Sequence, residues 1–122
     1  MTHRFLITTF ILFPLATPCH AWDVERMADA IYKAEGGAKT KHPYGVLSVK
    51  CETTLECRQI TINSIKRGIS RYNRDRASNR TLEGFISHFA RRWCPIGAKN
   101  DPKGLNQNWV KNVLYFYKKT GG

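Results

Sequence analysis

The first residue of chemical interest is Glu35, whose position suits a carboxyl group that donates a proton. The apolar residues before it recur at helical intervals, which predicts an amphipathic helix whose apolar stripe continues to Glu35. Gly36 and Gly37 follow at once, and glycine favours the left-handed conformation in which helices end. A carboxyl at the negative end of a helix, on a partly apolar face, should have a raised pKa because both features disfavour its ionised form. The residues of the stripe are Val24, Met27, Ala28 and Ile31.

This chemistry has one clear use and one ordinary alternative. A carboxylic acid that is still protonated near neutral pH is what general-acid cleavage of a glycosidic bond requires. The alternative is a surface glutamate near a helix end, where most such residues lie.

The segment 39–51, after the first predicted helix, has no helical period. Pro43 and Gly45 interrupt it, and the apolar residues at 46, 47 and 49 predict one short strand. Tyr44 and Ser48 lie on this segment and are candidates to contact a ligand; the resemblance described below implies that they face a bound sugar. The alternatives are a packing aromatic for Tyr44 and a strand-edge hydroxyl for Ser48.

Two amphipathic helices are predicted in the middle of the chain. One runs from about residue 55 to 74, and Asn63 and Ser64 lie off its apolar stripe, so that one of them is expected to contact a ligand. The other spans about residues 82–93 and ends at Cys94-Pro95. The apolar stripe of the earlier helix, expected in the core, consists of Leu55, Ile62, Ile65, Ile69 and Tyr72.

A last helix is predicted after a loop that is rich in proline and glycine. Asn106 is expected to cap it, with apolar residues at helical spacing from 109 to 117 facing inward. Trp109, Tyr115 and Tyr117 are candidates to stack on a sugar ring. The alternative is that these aromatic side chains belong to the core.

Two segments together resemble the lysozyme-like superfamily, and most closely its lytic transglycosylases. The first is Ala34-Glu35-Gly36 at a helix end, followed by Tyr44-Gly-Val-Leu-Ser-Val; the second is the last helix, residues 108–117, which reads NWVKNVLYFY. Gly36 and Ser48 replace the serine and glutamine usual in those enzymes, and the interval from Glu35 to Gly45 is shorter. The resemblance implies a mainly α (α+β) lysozyme-like fold over residues 22–122. It would have about four helices, with a very small β-lobe between the first two.

The resemblance also implies peptidoglycan as the substrate and Glu35 as the catalytic acid/base. A hydrolase of the common kind needs a second carboxylate across the scissile bond, and none lies on the predicted strand. Lytic transglycosylation needs only one carboxyl group, so it is expected ahead of hydrolysis. A glycan-binding protein that has lost catalysis and a cationic membrane-active protein are the competing interpretations. The later acidic residues are Glu52, Glu56, Asp75, Glu83 and Asp101.

Residues 1–21 have the pattern of a cleaved signal peptide. A short basic start precedes an apolar run from Phe5 to Ala16, and Cys19-His-Ala21 places small residues at the cleavage site. The mature protein is therefore expected to begin at Trp22 and to be periplasmic or secreted. The alternative is an uncleaved membrane anchor.

Export makes the remaining cysteines informative, because disulfides persist outside the cytosol. Three cysteines remain, Cys51, Cys57 and Cys94, so one of them must stay outside an intramolecular disulfide. The spacing permits either a Cys51–Cys57 or a Cys57–Cys94 disulfide. No two cysteines or histidines have the paired spacing of a zinc site, so no metal or other cofactor is expected. His42 and His88 are interpreted as lone surface histidines.

The chain has 122 residues and a formal net charge of +11, which suits one basic domain. The expected partners are peptidoglycan strands and, for the charge, an anionic envelope surface. Simple solubility is the alternative explanation of the charge. No nucleic-acid-binding motif accompanies the charge, so nucleic acid is not an expected partner. The protein is expected to be a monomer.

Overall fold

The computed structural model describes residues 22–45, 50–76, 79–99, 101 and 103–121. Four α-helices make up most of this part of the chain, and no β-strand occurs within it. The predicted mainly α fold with four helices is therefore confirmed. The predicted strand and the predicted signal peptide lie outside the described residues. The helices are α1 (Val24–Ala34), α2 (Thr54–Asp75), α3 (Leu82–Trp93) and α4 (Trp109–Thr120), with short 3-10 turns at Gly37–Lys39, Pro43–Gly45 and Leu105–Asn108.

Side-chain caps begin three of the helices. Asp23 accepts a hydrogen bond from Arg26 N at 3.1 Å at the start of α1. Thr53 and Thr81 make the equivalent bonds at the starts of α2 and α3. Each such cap typically contributes about 1 kcal/mol, so these polar residues determine where the helices begin.

The start of α4 differs from the prediction. Asn106 lies inside the 3-10 turn that precedes α4, and its side-chain Nδ2 donates to Pro95 O at 2.9 Å. The predicted capping role of Asn106 is therefore wrong. The physical reason is that Gly104, in the left-handed conformation, begins a separate turn that leads directly into Trp109.

Helices α1 and α4 pack antiparallel and are joined at both ends. Tyr117, late in α4, accepts a hydrogen bond from Asp23 N at 3.1 Å through its hydroxyl, and its carbonyl accepts one from Arg26 Nε at 2.7 Å. The Arg26 guanidinium also lies 4.1 Å from the Tyr117 ring centroid. At the opposite end, Trp109 Nε1 donates to Glu35 Oε1. These contacts hold the C-terminal end of α1 in a defined place.

Helices α2 and α3 approach closely at Gly68. A Cβ at this position would lie 2.8 Å from the Phe89 ring, so only glycine allows this approach without a shift. The core beside it includes Ile65, Phe85 and Ile86, all buried. Because α2 and α3 pack through these small and apolar surfaces, their neighbouring polar faces are brought opposite each other.

Two predictions about α2 are resolved. Leu55 is 77% exposed, so its predicted place in the core is wrong. Leu55 lies in the first turn of α2, and the side chain that is buried in this turn is that of Cys57. The disulfide joins Cys51 to Cys57, and Cys94 is free and half-buried.

None of the described helices has the length and apolar character that crossing a bilayer demands.

Candidate active site

A cleft of about 700 Å³ lies between α2 and α3 and reaches the end of α1. The wall from α2 consists of side chains at helical spacing between Ile60 and Arg71. The loop after α3 and the segment between α1 and α2 complete it through Pro95 and Gly45. The wall from α3 consists of His88, Phe89, Arg92 and Trp93.

Glu35 lines this cleft from the end of α1. It caps the helix, with its backbone N–H bonded to Ile31 O at 2.9 Å, and Gly36 after it has a φ of 97°. Burial raises the pKa of the Glu35 carboxyl, and the hydrogen bond from Trp109 Nε1, at 2.6 Å, partly offsets that rise. The result is a carboxyl group with a raised pKa, held by one donor and facing a space large enough for a ligand.

The segment after α1 folds back against this carboxyl group. Gly45 has a φ of 66°, and a Cβ there would lie 2.8 Å from the Glu35 carboxyl. Tyr44 shares the left-handed conformation, with a φ of 65°, which is costly for a residue with a bulky side chain. The turn therefore brings bare backbone against Glu35 and restricts where its carboxyl can lie.

Glu35 is the only carboxylate among the described residues that line the cleft. The nearest acidic residue in the downstream sequence, Glu52, has a side chain that is 71% exposed and an ion pair with Lys50 at 3.5 Å. Asp101 is buried, but it accepts backbone hydrogen bonds within its own loop, from the N–H groups of residues 97, 105 and 106. The described cleft thus offers one acid and no opposed carboxylate.

The structure brings one of the predicted binding residues to Glu35. Trp109 is 5% exposed, and its indole positions the carboxyl instead of offering an open face to a sugar. Tyr44 is also buried, with its ring 5.0 Å from that of Tyr32, and it does not line the cleft. Ser48 lies outside the described residues.

The other predicted binding residues lie away from the cleft. Asn63 is exposed and accepts a hydrogen bond from Gln59, whereas its neighbour Ser64 lines the cleft. Tyr115 is 55% exposed and packs against Phe116, outside the cleft lining. Tyr117 is buried beneath Arg26, as described above. Their positions follow from the rotation of α2 and α4 about their axes, which the packed apolar faces determine.

The basic residues that line the cleft were not predicted from the sequence. Arg67 and Arg71 are one turn apart on α2, beside the apolar stripe and on either side of Gly68; a glycine inside a helix was the available signal. The interpretation of His88 as a lone surface histidine is wrong. His88 is partly buried, 3.1 Å from Asp75 and edge-on to the Tyr72 ring.

The described lining of the cleft includes one free thiol, that of Cys94. Within the described part of the chain, no group of three or more potential ligands could hold a metal ion. Cys94 lines the cleft, but burial raises the pKa of its thiol to about 12, and the Glu35 and Asp101 carboxyls contribute to that rise. The thiol therefore stays protonated, and only the thiolate is a strong nucleophile.

The raised pKa of Glu35 predicts how stability depends on pH. The folded protein holds this proton more tightly than the unfolded chain, so the stabilising contribution is complete below the ordinary pKa of 4.5 and is lost as pH rises through the folded pKa. In Glu35→Gln this loss disappears, while an oxygen remains to accept the Trp109 hydrogen bond. The free energy of unfolding of Glu35→Gln, relative to wild type, should therefore increase with pH, as measured by urea denaturation from about pH 4 to about pH 8. Glu52→Gln controls for the lost charge, and a difference independent of pH would contradict the raised pKa.

The close approach of Gly45 to Glu35 predicts a specific steric coupling. Gly45→Ala and Gly97→Ala both place a Cβ at a left-handed φ, but nothing lies within 4 Å of the Cβ position at Gly97. Each should lose about 1–2 kcal/mol from the backbone conformation, and Gly45→Ala about 1–3 kcal/mol more from overlap with the carboxyl. Denaturation of Gly45→Ala in the wild-type and Glu35→Ala backgrounds tests this. Without the carboxyl there is no overlap, so the additional loss of stability should disappear in the Glu35→Ala background. Equal costs in the two backgrounds would refute the coupling.

No protein-family model, curated protein or solved structure matches this chain. The function is therefore inferred from the geometry of the cleft and from the segments that carry the resemblance. In that geometry, Glu35 is a single, partly buried carboxyl that faces the cleft and is positioned by Trp109 and Gly45.

Proposed function

We propose that this protein cleaves the β-1,4 bond between N-acetylmuramic acid and N-acetylglucosamine in peptidoglycan, by lytic transglycosylation. The observation that carries the proposal is Glu35: a partly buried carboxyl with a raised pKa in a cleft whose described lining contains no other carboxylate. Two segments resemble lytic transglycosylases, the one that contains Glu35 and the last helix, and this resemblance supports the choice of substrate.

Glu35 acts first as an acid and then as a base. Its proton goes to the glycosidic oxygen as the bond from that oxygen to C1 of the muramyl sugar breaks. The carboxylate that remains accepts the proton of the 6-hydroxyl of the same sugar while O6 attacks C1, which closes a 1,6-anhydro ring. Because the 6-hydroxyl belongs to the substrate, its effective concentration is far above that of an external nucleophile.

The surroundings of Glu35 suit both halves of this cycle. Burial favours the protonated form that must donate, and it also makes the carboxylate a stronger base once the proton has left. The indole N–H of Trp109 stabilises the carboxylate between the two steps, so the charge is never without a partner.

Hydrolysis is less well supported. Glycosidases of the common kind place a second carboxylate about 5–9 Å from the first, to act as nucleophile or to activate water. No such group lines the described cleft, and the exposed side chain of Glu52 is paired with Lys50. Transglycosylation needs no group that the described cleft lacks.

The proposal includes export to the periplasm or the medium, where peptidoglycan is accessible. The signal-peptide pattern of residues 1–21 supports it, and so does the Cys51–Cys57 disulfide, since such bonds persist in oxidising compartments. The reaction requires no cofactor, and the expected partners are glycan strands and the anionic envelope around them.

The products of digestion test the reaction. Purified cell walls treated with the protein should yield fragments that end in 1,6-anhydro-muramyl groups, lighter by one water than hydrolytic products, because O6 has replaced water as the nucleophile. Mass spectrometry of the soluble fragments measures this difference directly. Reducing muramyl ends, together with their loss in Glu52→Gln, would identify a hydrolase instead.

Substitution of the catalytic group tests the assignment of Glu35. Glu35→Gln keeps the shape of the side chain but cannot transfer a proton, so lytic activity should fall by about 10²–10⁴-fold. Turbidity loss of a cell-wall suspension measures the rate, with Glu52→Gln as the matched control at an exposed carboxyl. Activity of Glu35→Gln within about tenfold of wild type would refute the catalytic role. A wild-type protein that binds walls without releasing fragments would be a binding protein.

A further inference from the structure

Three arginines line the same cleft as Glu35. Arg67 and Arg71 lie one turn apart on α2, and Arg92 lies on α3 across the cleft from them. Arg71 is partly buried, while the other two are more exposed. Guanidinium groups from two helices therefore line the cleft that contains the proposed catalytic carboxyl.

No carboxylate of the described residues forms an ion pair with any of these three arginines. The described ion pairs join Lys50 to Glu52, Arg58 to Asp29 and His88 to Asp75. Arg67 donates a hydrogen bond from Nη2 to the Ser64 hydroxyl at 3.3 Å. The guanidinium groups thus keep donors free for a ligand.

The electrostatics of the cleft favour an anion. Its single described carboxyl, Glu35, has a raised pKa and neutralises little of the positive charge when protonated. Like charges on facing walls repel one another, and a bound anion relieves that repulsion while accepting charge-assisted hydrogen bonds. Guanidinium groups suit carboxylates, because their paired N–H groups fit the two oxygens, and carboxylates are anionic groups of the proposed peptidoglycan substrate.

We infer that Arg67, Arg71 and Arg92 form a carboxylate-binding site that selects acidic, unamidated peptidoglycan. This rests on the proposed function of the Glu35 cleft and adds the chemical feature of the substrate that the cleft recognises. Two groups of peptidoglycan carry such carboxylates: the stem peptide, and the lactyl group where the peptide has been removed. A glycan of the same linkage without carboxylates, such as a chitin oligosaccharide, lacks this contact.

Binding measured without turnover tests the site separately from catalysis. The protein is the Glu35→Gln variant, and calorimetry measures its affinity for a peptide-bearing muramyl oligosaccharide, the same ligand with amidated carboxyls, and a chitin oligosaccharide of equal length. Affinity for the acidic ligand should be at least about tenfold higher than for either neutral ligand. It should also fall with added salt, because the arginines are partly exposed. A peptide-free muramyl oligosaccharide distinguishes the two sources, since it retains the lactyl carboxylate alone.

Two triple variants, each lacking three positive charges, test whether the preference for the acidic ligand depends on the arginines of the cleft. The triple variant R67Q/R71Q/R92Q should bind the acidic ligand no better than the amidated one. The matched control K66Q/R74Q/K111Q removes the same charge from exposed positions outside the cleft lining and should retain the preference within about twofold. Circular dichroism verifies folding, and the three single arginine variants, each expected to weaken acidic binding, replace the triple variant if it unfolds.

The outcomes separate this inference from the proposed function. If amidation leaves the affinity unchanged, or the control variant loses as much as the cleft variant, the carboxylate site is refuted, whether or not wall digests contain 1,6-anhydro ends. If the preference depends on the three arginines but the wild-type protein releases no wall fragments, the site stands and the proposed reaction falls.

Discussion

The site depends on one hydrogen bond, from the indole of Trp109 to the carboxyl of Glu35. Two effects on the pKa of Glu35 oppose each other there: burial raises it, and the Trp109 N–H lowers it, with burial the larger. The same bond joins the end of α1 to the start of α4. At the other end of this helix pair, Tyr117 of α4 is hydrogen-bonded to Asp23 and Arg26 at the start of α1. Glu35 is therefore held by the packing of two helices and not only by its local turn.

Unusual backbone conformations concentrate next to this bond. Gly36, Tyr44 and Gly45 all have positive φ, and the turn they shape brings the Gly45 backbone within reach of the carboxyl. For Tyr44 this conformation costs roughly 1–2 kcal/mol, which burial of its ring against Tyr32 offsets. Strain of this kind persists where surrounding contacts over-determine the conformation, and here those contacts place a backbone wall beside the proposed catalytic group.

Charge is distributed unevenly between the cleft and the rest of the described surface. Asp29 forms an ion pair with Arg58, and Asp75 pairs with His88. Asp101 accepts backbone hydrogen bonds within its own loop. None of these carboxylates therefore pairs with the arginines of the cleft. The whole chain has 20 basic and nine acidic residues, and the three arginines that line the cleft form no ion pair with a carboxylate of the described residues. The inferred carboxylate recognition depends on these arginines, whereas the proposed acid catalysis depends on the burial of Glu35 in the same cleft.

Local patterns were enough to predict the four helices, the glycine stop after α1 and the position of Glu35 on a partly apolar face, since each depends on a few neighbouring residues. They could not decide which aromatic of α4 meets Glu35, because periodicity defines an apolar face but not the neighbour that covers it. Trp109 takes that position, and Tyr117 serves the other end of the helix. The choice of Cys51 over Cys94 as the partner of Cys57, the exposure of Leu55 and the meeting of arginines from α2 and α3 were likewise decided by tertiary packing. The cysteine pairing and the meeting of the arginines depend on distances between segments that are far apart in the chain. The exposure of Leu55 depends on which elements cover the first turn of α2.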